Sequence, residues 1–192
     1  DDDRRAYLTF MWEGCAQFGV EVLVWCLMTN HVHFVMIPSE QDSLARAVGS
    51  AHKRFTRKRN FEEGVRGYLF QGRFHSCVLD ERHVLAAGRY VLMNPVRAGI
   101  VKTPEEWKWS SGRYHLELQE TDQLVRDGSL MGLVENWRDF LDDADNVAEE
   151  EVSKNTRTGR PAGSNEFVGR MEALTGRTLR RGRPGPKTNS KN

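Results

Sequence analysis

Two histidines, His31 and His33, stand two residues apart in a run, Thr29 to Ile37, that otherwise has the composition of a buried β-strand. Side chains alternate between the two faces of a strand, so both imidazoles project from the same face, about 6.5 to 7 Å apart along the backbone. At that spacing the two rings can bind one metal ion. The alternative, a pair of half-buried histidines hydrogen-bonded to neighbouring groups, stays open.

A divalent ion that organises phosphate chemistry also takes oxygen ligands, which other parts of the chain must supply. Tyr90 and Asn94 are four residues apart in a segment that predicts the last turns of a helix. Four residues make about one helical turn, so the phenol and the amide oxygen lie on the same face. The alternatives are a core aromatic residue at Tyr90 and a helix cap at Asn94, before Pro95.

Hydrophobic spacing predicts the elements that position these residues. Two apolar runs are joined at Thr29-Asn30, a link so short that only an antiparallel hairpin fits. The full prediction is a helix at 3–18, strands at 20–28 and 31–37, a helix at 43–60, a short strand at 74–79 and a helix at 81–94 that carries Tyr90. This order predicts an α+β fold, with helices packed on an antiparallel sheet.

The formal charge of +1 conceals alternating blocks: residues 1–45 carry net −5, 46–97 net +7, 98–151 net −9 and 152–192 net +8. The first basic block interleaves cations with aromatic side chains, namely Lys53, Arg54, Arg57, Lys58, Arg59, Arg66 and Arg73 with Phe55, Phe61, Tyr68, Phe70 and Phe74. Cations beside aromatic rings favour phosphates and unstacked bases. The alternative is a solvated helix face with the aromatic rings inside.

Three stretches, in this order and spacing, carry a family resemblance: Trp25 to His33, Leu69 to Phe74, and Arg89 to Gly99. They resemble the REP-associated tyrosine transposases, which are single-tyrosine HUH transposases of the insertion-sequence type. The resemblance covers about residues 1–115, and a weaker similarity appears in the basic tail at 158–161 and 181–184.

The resemblance implies that Tyr90 attacks a phosphodiester of single-stranded DNA and forms a 5′-phosphotyrosine. A tyrosine hydroxyl is mostly protonated at neutral pH, so the phosphate must be polarised. By the same resemblance, His31, His33 and Asn94 would hold a divalent metal for that purpose, Mg²⁺ or Mn²⁺. Zinc is not expected, because the three cysteines show no metal-binding spacing.

The implied partner is single-stranded and hairpin DNA with REP-like palindromes, bound by a monomer or a homodimer. The predicted DNA contacts are Lys53, Arg54, Arg57, Lys58, Arg73, Arg97, Arg180, Arg181 and Arg183. No signal peptide and no membrane-spanning apolar run is recognisable in the sequence, and a cytoplasmic, nucleoid-associated location is expected.

We expect three regions: a catalytic domain at 1–115, an acidic helical extension at 116–151 and a basic, largely disordered tail at 152–192. The family's ferredoxin-like sheet normally begins with a strand before the first helix. Because the chain begins at Asp1 without such a strand, we expect a sheet that lacks its first strand and a catalytic domain that is incomplete at its N-terminus.

Two other functions are compatible with these residues. The chain could be a catalytically inactive DNA-binding protein of the same ancestry, which the missing strand and the basic tail suggest. A metal hydrolase that uses His31 and His33 with an activated water is a weaker alternative, since no Glu general base and no third histidine stands nearby in the sequence.

Overall fold

A computed structural model describes residues 1–126, 130–143 and 147–180 of the chain. The fold is α+β, as the sequence predicts. Its elements within those ranges are α1 (Asp2–Phe18), β1 (Val20–Leu27), β2 (Val32–Pro38), α2 (Ser43–Glu62), α3 (Glu81–Arg97), α4 (Gly112–His115), α5 (Trp137–Asp142), α6 (Val147–Thr158) and α7 (Asn165–Thr175), with 3₁₀ turns at Pro104–Glu106 and Met131–Leu133.

The strands β1 and β2 form the predicted antiparallel hairpin, in which Cys26 pairs with His33. A register shift between Val22 and Val24 marks a bulge in β1. Because an extra residue reverses the alternation of side chains, Val22 and Trp25 pack with α1 and α2, whereas Val24 and Cys26 pack with α3. Strand β1 is therefore a buried layer between two groups of helices, whereas most of β2 is half-buried or exposed.

The outer edge of β1 is covered at its C-terminal half. The Leu27 amide donates to the Trp109 carbonyl and the Ser111 amide donates to the Trp25 carbonyl, at 2.8 and 3.0 Å. Cys26 and Ser110 form an isolated antiparallel bridge at the same place. The segment 109–111 thus occupies the hydrogen-bonding positions that a third strand would use there.

The predicted strand at 74–79 is wrong. Residues 74–78 adopt no regular structure, and Leu79 forms only an isolated bridge with Ala162. The Ala162 amide donates to the Val78 carbonyl, and the Asp80 amide donates to the Ala162 carbonyl. The backbone of this apolar segment is thus bonded to the loop before α7 and not to the hairpin, a partner that local patterning cannot reveal.

The helices α1 and α2 cross closely at Gly14. A Cβ placed on Gly14 would lie 2.8 Å from the Ala47 carbonyl oxygen, inside any normal contact distance. Met11 and Ala47, both completely buried, belong to the same core cluster. The glycine therefore permits the approach of the two helices.

Gly14→Ala is expected to lower the free energy of unfolding by about 1–3 kcal/mol, because the added methyl group forces the two backbones apart. Gly49→Ala on α2 is the matched control, since nothing lies within 4 Å of its Cβ position. That substitution should raise stability by about 0.5–1 kcal/mol through helix propensity. Urea unfolding of both variants measures the difference, and equal midpoints would contradict the close crossing.

Helix α3 begins at Glu81 and is capped by Asp80, whose carboxylate accepts a hydrogen bond from the His83 amide. It continues through Pro95 to Arg97, three residues past the predicted end at Asn94. Pro95 is completely buried and Leu92, on the same helix, is 0% exposed. Packing of the last turn thus offsets the free-energy cost of the backbone hydrogen bond that Pro95 cannot donate, and Asn94 stays inside the helix.

Much of the segment predicted as a disordered tail is helical between residues 152 and 180. Helix α6 extends to Thr158, and its Val152 is buried in the same core cluster as residues of α3. Phe167 of α7 is also buried. The Ser164 hydroxyl caps α7 by accepting from the Phe167 amide at 3.1 Å. Composition alone did not reveal these tertiary contacts. No helix in the described ranges is both long and apolar enough to cross a membrane.

Candidate active site

Strand β2, the residue just before it and helix α3 bring three predicted site residues into ring contact. The His31 and His33 ring centroids are 4.7 Å apart, and those of His33 and Tyr90 are 5.6 Å apart, each pair nearly perpendicular. His33 faces α3 because its cross-strand partner Cys26 lies on that side of the hairpin. The phenol and the two imidazoles therefore line one shared site.

His33 has a nitrogen without a partner. Its Nε2 is buried and makes no hydrogen bond within the described residues. Burial, and to a smaller extent the nearby His31, lower the pKa of His33 to about 4. A neutral imidazole whose buried nitrogen has no hydrogen-bond partner fits a metal ligand. A metal ion could bind the lone pair of that nitrogen.

His31 is exposed, and its Nδ1 donates to the Asn30 amide oxygen at 2.7 Å. This hydrogen bond places the ring proton on Nδ1 and the lone pair on Nε2. A histidine that binds metal through one nitrogen commonly donates its other N–H to an oxygen in this way. Asn30 thus orients His31, a role that the sequence analysis did not assign.

The Asn94 side chain is hydrogen-bonded to the backbone of its own helix. Its amide nitrogen donates to the Tyr90 carbonyl at 2.7 Å, one turn earlier on α3. That bond holds the side chain along the helix and leaves the amide oxygen as its potential ligand atom. Within the described ranges, no group of three or more His, Cys, Asp or Glu side chains is placed to hold a metal. A metal at the two imidazoles would therefore need oxygen ligands of another kind.

Two residues near Tyr90 were missed by the sequence analysis, Glu149 and Ser153. The Ser153 hydroxyl donates to the Tyr90 hydroxyl at 3.5 Å. Glu149, only 3% exposed, pairs with Arg89 and with Arg97, and the Arg97 guanidinium lies 5.5 Å from the Tyr90 ring centroid. The available signal was the helical spacing of Glu149, Val152 and Ser153 on one face of α6.

The predicted DNA-binding cations divide into two groups. Four form ion pairs: Arg54 with Glu13, Lys58 with Asp3 and Glu62, Arg97 with Glu149, and Arg180 with Glu172. In the described part of the chain, no ion pair is found for Lys53, Arg57 or Arg73, all exposed. Arg181 and Arg183 lie outside the described residues. The three unpaired cations are best able to bind phosphates.

The aromatic residues of the first basic block, residues 46–97, include both core residues and exposed ones. Phe55 and Phe70 pack around Tyr7, with ring centroids 5.3 and 6.4 Å from its own, so the core interpretation holds for them. Phe61 is 88% exposed and Tyr68 is fully exposed. Phe61 lines an open pocket of about 780 Å³ together with Arg57, Lys58 and Arg66. This surface offers both stacking faces and positive charge.

Comparisons with known proteins agree with the motifs. Residues 1–94 match the family described as "Transposase IS200 like". A Haemophilus influenzae protein named as a REP-associated tyrosine transposase is 26% identical over 108 residues, which cover 50% of this chain. The chain spans 61% of the length of that relative. No solved structure matches the chain. Over residues 1–94, the chain is thus similar to the IS200-like transposases.

Proposed function

We propose that the protein nicks single-stranded DNA near palindromic hairpins and transfers the strand through a 5′-phosphotyrosine formed on Tyr90, with the help of a divalent metal. The observation that supports this most directly is the contact of the Tyr90 ring with His33, whose buried Nε2 has no partner within the described residues. A nucleophile and a metal-ligand candidate thus lie side by side.

In the proposed reaction the Tyr90 oxygen attacks phosphorus, its proton passes to solvent, and the bond from phosphorus to the 3′ oxygen breaks. The 3′ oxygen takes up a proton and leaves as a hydroxyl, and the 5′ phosphate stays on Tyr90. Attack by another 3′ hydroxyl reverses these changes and joins the strands. Because the phosphotyrosine is itself a phosphodiester, rejoining needs no ATP.

His31, His33 and Asn94 would hold the metal, Mg²⁺ or Mn²⁺, and imidazole ligands shift the preference toward Mn²⁺. When bound, the metal would withdraw charge from a non-bridging phosphate oxygen. The protein's own contribution is orientation: Asn30 fixes the His31 ring, and the contact with His33 fixes the Tyr90 ring.

The DNA is proposed to lie along the basic face of α2. We expect Arg57→Ala to weaken binding of a hairpin oligonucleotide and to reduce the log-log salt slope by about one. Arg54→Ala is the matched control on the same helix: its guanidinium is already paired with Glu13, so its substitution should have a smaller effect. Fluorescence anisotropy across a salt series measures both. A larger effect of Arg54 would contradict this placement.

The proposed activity is tested by incubating the full chain with a hairpin oligonucleotide bearing a single-stranded flank, with Mg²⁺ or Mn²⁺. A covalent adduct that peptide mass spectrometry maps to Tyr90 supports the proposal. Cleavage without attached protein would favour a metal hydrolase. Salt-sensitive hairpin binding with no adduct in either metal would favour an inactive DNA-binding protein of the same family.

A further inference from the structure

Helix α6 packs against the part of α3 that carries Tyr90. Glu149 and Ser153 are four residues apart, so they share one helical face, and both contact groups at the tyrosine. Val152 between them is 5% exposed and anchors this face in the α3 core. Residues 147–158 lie outside the region, 1–94, that matches the transposase family.

Ser153 acts on the reacting oxygen itself. Its hydroxyl donates to the Tyr90 hydroxyl at 3.5 Å, which is long for a hydrogen bond. Hydrogen bonds at reactive groups often tighten only when substrate binds. The contact engages one lone pair of the phenol oxygen and leaves the other for attack on phosphorus.

Glu149 acts through Arg97. A buried carboxylate is stable only when paired, and Glu149 satisfies this with two guanidiniums of α3, those of Arg89 and Arg97. The Arg97 side chain remains 36% exposed while its guanidinium lies over the Tyr90 ring. Glu149 therefore holds a cation beside the nucleophile, with part of it open to an approaching phosphate.

We propose that α6 completes the tyrosine site: Ser153 positions the Tyr90 hydroxyl, and Glu149 positions Arg97 to bind the phosphate that Tyr90 attacks. This inference rests on the proposed strand transfer. It assigns Arg97 a contact with the reacting phosphate and makes Ser153 and Glu149 positioning residues.

The contact at Ser153 is tested first without DNA. The full chain is labelled with ¹³C at the tyrosine ζ carbon, which gives signals from four tyrosines, and Tyr90→Phe assigns one of them. Ser153→Ala should shift the Tyr90 signal, Ser153→Thr should restore it, and Lys154→Ala, the exposed neighbour on α6, should leave it unchanged. An unchanged Tyr90 signal in Ser153→Ala overturns the role of Ser153.

The same variants are then compared in adduct formation. Ser153→Ala should slow attachment at saturating DNA about tenfold, the equivalent of one hydrogen bond, with no change in the half-saturating DNA concentration. Arg97→Gln should slow it about 100-fold, as for the loss of a donor to a developing oxyanion. Glu149→Gln keeps the shape of the side chain but removes the charge that holds Arg97. Its rate of attachment should fall between those of Ser153→Ala and Arg97→Gln.

Faster attachment in Ser153→Ala would overturn the inference, because the α6 contact would then obstruct the tyrosine. Equal rates in Arg97→Gln and the wild type would overturn the part that concerns Glu149. If the wild type never forms an adduct but the Tyr90 signal depends on Ser153, the proposed strand transfer fails while the hydroxyl contact stands.

Discussion

Tyr90→Phe is expected to abolish covalent attachment of the protein to DNA while leaving hairpin binding unchanged. The substitution keeps the ring that packs at 5.6 Å against His33 and removes only the oxygen that attacks phosphorus. The hydrogen bond lost with Ser153 contributes at most about 1 kcal/mol to stability. Denaturing gels of the adduct, with anisotropy for binding, measure the two effects separately.

Tyr68→Phe is the matched control for this loss, because Tyr68 is fully exposed. It should form the adduct at the wild-type rate. Clean, metal-dependent cleavage that persists in Tyr90→Phe would remove Tyr90 from the reaction and leave a water nucleophile as the explanation.

His33→Ala is expected to lower metal-dependent attachment by at least about 100-fold, since it removes the better-buried of the two imidazoles. Removal of the metal with EDTA should reduce the wild type to the same level. Mn²⁺ binding followed by electron paramagnetic resonance should weaken in parallel, whereas hairpin binding through the α2 cations should persist.

His75→Ala provides the comparison for His33, because His75 is an exposed histidine outside the site. It should retain both Mn²⁺ binding and attachment. If His33→Ala binds Mn²⁺ as tightly as the wild type, the two-imidazole site is not the metal site, and the unpaired Nε2 needs another partner, such as water.

Elements with strong local patterns were predictable from the sequence. Helix α1 and the hairpin follow from apolar spacing and from the short link at Thr29-Asn30, and both are confirmed. The segment 74–79 was not predictable, because its backbone partner, Ala162, lies more than 80 residues further on. Helix α6 begins inside the predicted acidic helical extension, but its continuation from residue 152 to Thr158 was predicted as disordered tail, because composition does not show that Val152 is buried.

In the candidate site too, local sequence features were predictable and distant contacts were not. The types and spacing of His31, His33 and Tyr90 are visible in the sequence, and the fold brings their rings together. Roles that depend on tertiary contact could not be predicted, because Glu149 and Ser153, 59 and 63 residues beyond Tyr90, belong to no recognisable motif. Likewise, only the structure separates Arg57 from Arg54, because the partner of Arg54 is Glu13 on another helix.

The covered edge of β1 limits how this hairpin can be enlarged. Since residues 109–111 already use the Leu27 amide and the Trp25 carbonyl, a further full-length strand cannot line up along that side without displacing them. Lateral growth of the sheet by a full-length strand, whether from another segment of polypeptide or from a neighbouring molecule, is therefore directed to β2, the strand that carries His33. A strand added at β2 would therefore also affect the relative positions of His31 and His33.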